Sequence, residues 1–158
     1  MPQHSPPPVP PTGHRSQQPD ATAPDGSEIR LLIDQRHQAT KASLCEVTLA
    51  AGQVSRPVWH QTVEEIWYVL EGRGSIWRSP PASASQTGHQ SQDTPQETAE
   101  EIVVVGPGDA LTIPIGWSFQ FSAGTETALR FLCYTNPPWP GSQEAQPAGI
   151  GGLGEATV

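Results

Sequence analysis

The middle of this chain consists of short apolar runs, some with a period of two, that glycine and proline interrupt at regular intervals. A period of two is typical of β-strands, and no stretch sustains the repeat of about 3.6 residues that an amphipathic helix needs. The sequence therefore predicts an all-β domain. The expected strands are Glu28–Asp34, Ala42–Ala50, Ser55–Trp59, Glu65–Glu71, Gly74–Arg78, Glu101–Val105, Ala110–Ile113, Trp117–Ser122 and Thr127–Tyr134. Many short strands separated by turn signals predict a sandwich or a jelly-roll barrel.

Both ends of the chain are poor in large apolar side chains, so burial there cannot offset the entropy that ordering costs. We expect a disordered Pro/Gln-rich leader at 1–26, a barrel at 27–140 and a flexible tail at 141–158. Trp139 is the exception near the tail and is expected to pack back on the barrel. The Ser, Gln and Thr-rich segment 79–100 predicts a flexible polar insertion between two strands.

The charge of the chain limits its partners. Its 158 residues match one domain, and its formal net charge is −8. Such acidity repels phosphate backbones and anionic membrane surfaces. The apolar runs are far shorter than the ~20 residues that cross a bilayer, and the N-terminus has no apolar signal-peptide core. We therefore expect a cytoplasmic protein that binds neither nucleic acid nor membranes.

The two cysteines lie in separate apolar runs and lack the paired spacing of a zinc site. Cys45 and Cys133 are accordingly expected to be buried free thiols and not a disulfide framework. Cys133 lies on the last predicted strand of the barrel, where its side chain could face the interior.

Two stretches of the chain contain the candidate site residues. In the first, Gly52 is followed by Val58 and His60, and then by Glu65 and Gly72. Alternation along a strand puts residues 58 and 60 on one face, so both side chains can point into a barrel. The closing glycine stands where a tight turn needs a positive φ.

In the second stretch, Gly108 is followed by Pro114, Gly116 and Phe119, with Phe121 two residues further on. Residues 119 and 121 share a strand face for the same reason as residues 58 and 60. The glycines and the proline mark the turns on either side of an apolar strand.

The spacing of these residues resembles the two sequence motifs of the cupins. In that pattern the first motif supplies two histidines and a glutamate, and the second motif supplies a third histidine. His60 and Glu65 match, whereas Val58 and Phe119 stand where the other two histidines are expected. The resemblance covers roughly Ser43 to Tyr134 and implies a cupin-type jelly-roll β-barrel.

The segments 56–60 and 63–68 are also similar to a group of small single-domain cupins, cupin_2-like, whose members are labelled mannose-6-phosphate isomerase-like. Cupins commonly pair through their barrel faces, so the resemblance implies a homodimer. Trp59 and Tyr68 lie on the faces opposite His60 and Glu65, and amphipathic rings at such positions suit an interface.

The resemblance also implies a metal site, because the usual cupin cage of three histidines and one glutamate holds a divalent ion of iron, manganese, nickel or zinc. Here His60 and Glu65 are the candidate metal ligands, which is two of the four, so no cofactor is certain. The side chains that could complete the set are Glu64, Gln61, Gln120 and Cys133.

The leading hypothesis is a barrel that binds a small organic ligand, with metal optional and with His60 and Glu65 as the polar anchors; the same two residues are the candidate catalytic acid–base pair. The pocket walls are expected to be Val58, Trp67, Phe119, Phe121 and Cys133. A second hypothesis is a metal-dependent isomerase or dioxygenase-like enzyme, for example one acting on sugar phosphates. A third is a structural or interaction protein with a packed interior, in which a bond between His60 and Glu65 favours the charged imidazolium.

Overall fold

The structure is a computed structural model that describes residues 5–82 and 100–158. The described residues form eleven strands and one short 3-10 turn, Gln35–His37, which confirms the all-β prediction. The strands are β1 Ala21–Thr22, β2 Glu28–Ile33, β3 Ser43–Leu49, β4 Val58–His60, β5 Glu64–Glu71, β6 Gly74–Ser79, β7 Glu101–Val105, β8 Ala110–Ile113, β9 Ser118–Ala123, β10 Leu129–Asn136 and β11 Ala145–Pro147. Within these ranges, no helix has the length and apolar character that a membrane span requires.

The strands form two antiparallel sheets that face each other across the core. One sheet has six strands in the order β1-β2-β3-β10-β5-β8, and the other has five in the order β11-β4-β9-β6-β7. Strand β10 thus lies between β3 and β5, which are distant from it in sequence. This crossing of connections is the jelly-roll arrangement expected from the sequence. The largest side chains between the sheets are Trp67, Phe119, Phe121 and Phe131.

Strand β5 shows how the sequence assigns side chains to the two faces of a sheet. Glu65, Trp67 and Val69 are buried, whereas Ile66 and Tyr68 between them are exposed. The alternation follows from the pleat, which points successive side chains to opposite sides. Two candidate site residues, at positions 65 and 67, therefore point inward together.

The turn after β5 requires the glycine that the sequence places there. Gly72 has a φ of +81°, a region that side chains other than glycine rarely adopt. A Cβ atom at this position would also lie 2.0 Å from the carbonyl oxygen of Ala128. The turn before β8 has the same requirement at Gly108, where φ is +91°.

The N-terminal segment contacts the barrel, although its composition predicts a disordered leader. Strand β1 lies in this segment and pairs with β2. The Nε atom of Arg15 donates to Oε1 of the buried Glu46 at 2.8 Å, and Arg30 donates to the carbonyl oxygens of Ser16 and Gln17 at 3.1 Å. Composition cannot reveal such contacts, because they depend on single polar groups and not on apolar burial. Most of the expected insertion, residues 83–99, lies outside the described residues.

Glu144 joins the C-terminal segment, which was expected to be flexible, to the barrel. Its Oε1 atom accepts the N–H groups of Thr62 at 2.5 Å and Val63 at 2.7 Å, and its Oε2 atom accepts the Thr62 hydroxyl at 2.9 Å. Burial acts to raise the pKa of Glu144, but these hydrogen bonds outweigh it and lower the pKa. The next residue, Ala145, pairs with His60 across β11 and β4. The segment therefore helps to position a candidate site residue.

Replacing Glu144 with alanine is expected to lower the free energy of unfolding by about 1–3 kcal/mol, because three hydrogen bonds are lost and two backbone donors are left unpaired. Urea denaturation followed by tryptophan fluorescence measures this change. The matched control is Glu126→Ala, at an exposed position, for which a change within about 0.5 kcal/mol is expected. Equal effects of the two substitutions would contradict the anchoring role of Glu144.

Candidate functional site

A cavity of about 900 Å³ lies against the inner face of the six-stranded sheet. Strands β2, β3, β5 and β10 form its wall, and residues from the segments 21–25, 34–40 and 138–142 complete the lining. Most of the lining side chains are apolar. They include Ile29, Ile33, Val47, Val58, Phe131, Pro138 and Trp139. A cavity of this size and character suits a small organic molecule.

His60 is the polar residue that β4 contributes to the cavity. Its side chain is buried, and its ring makes edge contacts with the rings of Phe119 and Trp139 at centroid distances of 5.1 and 5.0 Å. The Nδ1 atom is buried and has no hydrogen-bond partner among the described residues. Burial lowers the pKa of His60 to about 4, although the Glu144 carboxylate opposes this shift. The imidazole is therefore neutral at physiological pH.

Glu65 is the acidic partner that β5 contributes. Its Oε2 atom accepts the indole N–H of Trp67 at 2.6 Å, and its Oε1 atom lies 3.5 Å from Nδ1 of His60. Burial raises the pKa of Glu65 to about 7, against the effect of the Trp67 hydrogen bond and of the nearby Cys133 thiol. The nearby negative charge of Asp25 raises it further. Glu65 thus changes its protonation state near neutral pH.

These pKa directions correct the expectation of a charged imidazolium at His60. Between about pH 4 and pH 7 both His60 and Glu65 are in their neutral forms. Two charges in this apolar wall would need more compensation than one contact of 3.5 Å supplies. Desolvation therefore outweighs the attraction between the two groups, and the pair can donate and accept hydrogen bonds without carrying charge.

A second acid, Asp25, lines the cavity on the side of β1. Its Oδ1 atom accepts the N–H group of Ser27 at 2.8 Å and the Ser27 hydroxyl at 2.6 Å. Burial of the carboxyl group raises the pKa of Asp25, although these hydrogen bonds and the charge of Arg56 oppose the shift. The cavity thus contains two carboxyl groups whose burial favours the protonated form.

The cationic side chain among the described lining residues is Arg36. Its guanidinium is bound to the Asp34 carboxylate, with Nε and Nη2 at 3.0 and 2.8 Å from the carboxylate oxygens. The same guanidinium holds the pKa of Asp34 below its usual value. With its charge already compensated, Arg36 provides little attraction for an anionic ligand. The charges around the cavity therefore disfavour phosphate groups.

The structure brings together most of the residues that the sequence singled out. His60 and Glu65 face the cavity, and so do Val58, Trp67 and Cys133. Phe119 and Phe121 do not line it. They pack behind Trp67, with ring centroids 5.5 and 5.3 Å from its ring. Strand alternation predicts which face a side chain occupies, but it does not predict how deep in the core the side chain lies.

Four residues that line the cavity were not predicted from the sequence: Asp25, Cys45, Phe131 and Thr135. Trp139 was expected to pack on the barrel, but its place in the cavity wall was not predicted. A signal was present in part, because Phe131, Cys133 and Thr135 alternate on β10 and must share a face. The sequence could not show that Cys45 belongs to the same wall, since β3 and β10 become neighbours only through the fold.

The residues present do not fit the metal cage that the motif resemblance implied. Val58 and Phe119, at two of the histidine positions, are Cα partners across β4 and β9 and offer no donor atom. Among the described residues, no three His, Cys, Asp or Glu side chains are grouped to hold a metal ion. Gln61 and Gln120 bind backbone carbonyl oxygens elsewhere, at Gln143, Ser55 and Gly154. Glu64 is exposed.

Comparison with known proteins gives one family match and one curated relative. Residues 15–146 match the sequence model of a family described as Cupin. The curated relative is Uncharacterized protein MJ1618 from Methanocaldococcus jannaschii. It is 28% identical over 116 residues, which are 73% of this chain and 77% of that protein.

Solved structures with the same fold include two enzymes. The polyketide cyclase RemF from Streptomyces resistomycificus has a TM-score of 0.56 and 24% identity, over 87% of this chain and 81% of RemF. The oxalate decarboxylase of Lactobacillus farciminis, in a formate complex, has a TM-score of 0.58 and 11% identity, over 86% of this chain and 34% of the decarboxylase. At these identities the likeness concerns the fold alone.

Proposed function

Since this chain belongs to the cupin family, we propose that its barrel binds a small, uncharged and largely apolar organic molecule in the cavity beside β10. His60 and Glu65 are the polar anchors for one hydroxyl or carbonyl group of that molecule. The apolar walls, which include Trp67 and Phe131, hold its body.

The observation that carries this proposal is the unpartnered Nδ1 atom of His60, a statement that covers the described residues. A buried polar atom without a hydrogen bond costs about 1–3 kcal/mol, so a ligand atom that satisfies it gains binding energy. The adjacent Oε1 atom of Glu65, 3.5 Å away, allows one ligand oxygen to interact with both side chains. As a neutral acid Glu65 can donate a hydrogen bond, which suits a ligand oxygen as acceptor.

The charges of the cavity support an uncharged ligand. Asp25 and Glu65 have buried carboxyl groups, and Arg36 is already bound to Asp34. A phosphate would lose its hydration in this largely apolar cavity, and the described lining residues offer no uncompensated cation to offset that loss. We therefore do not extend the proposal to the sugar phosphates that the isomerase-like resemblance implied.

The open volume of the cavity favours ligand binding over a purely structural role, and the side chains around His60 and Glu65 favour it over metal-dependent catalysis. A purely structural role predicts an interior filled by side chains, and a cavity of about 900 Å³ does not agree with that. Metal-dependent catalysis requires further ligands near His60 and Glu65, and the described residues supply none in a suitable group.

The proposal can be tested with three matched probes that share one apolar ring system: 2-naphthol, naphthalene and 2-naphthyl phosphate. Isothermal titration calorimetry is expected to show binding of 2-naphthol, weaker binding of naphthalene and no binding of the phosphate. In His60→Leu, 2-naphthol is expected to bind about tenfold more weakly, because one hydrogen bond to the buried ring nitrogen is lost.

The matched control is His14→Leu, which removes an exposed imidazole outside the cavity and should leave binding unchanged. Tighter binding of 2-naphthyl phosphate than of 2-naphthol would contradict the uncharged class. Equal affinities of wild type and His60→Leu for 2-naphthol would contradict the anchoring role of His60.

A further inference from the structure

The wall of the cavity contains a pair of thiols that the proposed ligand binding does not use. Cys45 on β3 and Cys133 on β10 are direct Cα partners in the antiparallel ladder. Both are free cysteines, and both line the cavity. Cys133 is buried with 3% of its surface exposed, whereas Cys45 is partly exposed.

We propose that Cys45 and Cys133 are a redox-active thiol pair, which a peroxide entering the cavity converts to an intramolecular disulfide. The proposal does not depend on the proposed ligand, because it rests on the register of β3 and β10 and on access through the cavity.

The geometry of the ladder supports this bond. Directly opposed residues in an antiparallel pair have Cβ atoms about 4.5–5.5 Å apart, and a disulfide needs a Cβ separation of about 3.5–4.5 Å. A small approach of the two strands is therefore sufficient. The two thiols lie side by side on this ladder, since Cys45 is the direct Cα partner of Cys133 and contributes, in addition to burial, to the rise in the pKa of the Cys133 thiol.

Glu65 supplies the proton acceptor that the buried thiol needs. Burial raises the pKa of Cys133 well above its ordinary value, so this thiol does not ionise on its own near neutral pH. Glu65 on β5 is the Cα partner of Thr135, which lies two residues from Cys133 on the same face of β10, and burial raises the pKa of Glu65 to about 7. Near neutral pH a fraction of Glu65 is therefore a carboxylate that can accept the Cys133 proton.

The reaction proceeds in two balanced steps. The Cys45 thiol gives up its proton as its sulfur attacks one peroxide oxygen; the S–O bond forms, the O–O bond breaks, and the proton joins the departing hydroxide, so that hydrogen peroxide leaves a sulfenic acid on Cys45 and one molecule of water. The Cys133 sulfur then attacks the Cys45 sulfur as its proton passes to Glu65. The S–S bond forms, the S–O bond breaks, and the departing hydroxide takes the proton from Glu65 and leaves as a second water. Two electrons pass from the thiols to the peroxide.

The first experiment uses the reduced full-length chain and hydrogen peroxide as the probe. One equivalent is expected to remove both titratable thiols and to lower the intact mass by two hydrogens, and dithiothreitol should reverse both changes. Peptide mapping should find Cys45 joined to Cys133 in monomeric chains. Persistence of the thiols, stable addition of oxygen atoms or disulfides between chains would each overturn the proposal.

Variants separate the roles of the three residues. Cys133→Ser should stop at a sulfenic acid on Cys45 that dimedone traps, whereas Glu65→Gln should reach the same disulfide at least tenfold more slowly. A matched double variant, Cys45→Ser with Val47→Cys, keeps two thiols on the same cavity face but opposes Phe131 instead of Cys133. This variant should not form the intramolecular disulfide. Disulfide formation at the wild-type rate in the double variant would overturn the role of the register.

Discussion

Replacing Trp67 with alanine is expected to lower the free energy of unfolding by about 3–5 kcal/mol, the range typical of large-to-small substitutions of buried aromatic residues. The indole stacks on Phe131 with a centroid distance of 4.2 Å and makes edge contacts with Phe119 and Phe121. With 2% of its surface exposed, Trp67 links both sheets through one aromatic cluster. Its loss leaves three rings without their common partner, and it also enlarges the cavity.

The same substitution affects the polar site, because Trp67 donates its N–H group to Glu65 at 2.6 Å. Trp67→Phe keeps most of the ring contacts and removes this donor, so a loss of about 1–3 kcal/mol is expected for it. The matched control is Trp59→Ala, at a half-buried position on β4, for which about 1 kcal/mol or less is expected. Urea denaturation measures all three. A Trp67→Ala loss no larger than that of Trp59→Ala would contradict the central role of this ring.

The pH dependence of stability is expected to have opposite signs in two variants of the site. The pKa of Glu65 is raised in the folded state from 4.5 to about 7, so the folded protein holds this proton more tightly than the unfolded chain. The resulting stability is present below about pH 4.5 and is lost as the pH rises toward 7. His60 behaves in the opposite way. Its pKa falls from 6.5 to about 4, so its stability is present above about pH 6.5 and is lost as the pH falls toward 4.

In the wild type these two contributions largely cancel. A shift of this size corresponds to roughly 3 kcal/mol for each group, and both side chains are buried, so solvent screens them little. In Glu65→Gln the glutamate contribution is removed, and stability relative to wild type should rise by roughly 3 kcal/mol between pH 4.5 and 7. In His60→Gln the histidine contribution is removed, and stability relative to wild type should fall by a similar amount between pH 4 and 6.5.

Urea denaturation of the three proteins across this pH range measures the differences, in which the titration of all other groups cancels. A charged pair would behave differently. Wild-type stability would then peak between the two unfolded pKa values, and the His60 ring would titrate above its ordinary pKa in an NMR experiment. Either result would contradict two neutral groups at the site.

Much of the fold follows from local sequence, as the strand β5 illustrates. Its alternation assigned Trp67 and Glu65 to the interior, and the glycine at position 72 marked its end. The segments around Arg15 and Glu144 did not follow from composition, because each is held by one side chain that meets a specific partner in the barrel. Apolar content indicates how much surface a segment can bury, but it gives no information about single hydrogen bonds of this kind.

The sequence predicts which residues of β4 and β5 face the interior, but it predicts neither the full lining of the cavity nor its chemistry. The spacing of His60 and Glu65 placed them in one cavity, but their charge states depend on burial, which comes from Phe119, Trp139 and other residues distant in sequence. The cavity wall made by β3 and β10 was missed for the same reason. A sequence shows which residues share a strand face, and the fold decides which strands become neighbours.

The position of β10 has a consequence for how the chain folds. This strand bonds to β3 on one side and β5 on the other, and its contact between Ser43 and Thr135 joins residues 92 positions apart. Until β10 arrives, β3 and β5 each present an open edge that another chain can pair with. Folding dominated by such distant pairings takes about milliseconds to seconds. Newly made chains should therefore pass through an aggregation-prone stage that ends when residues 129–136 insert between their two neighbours.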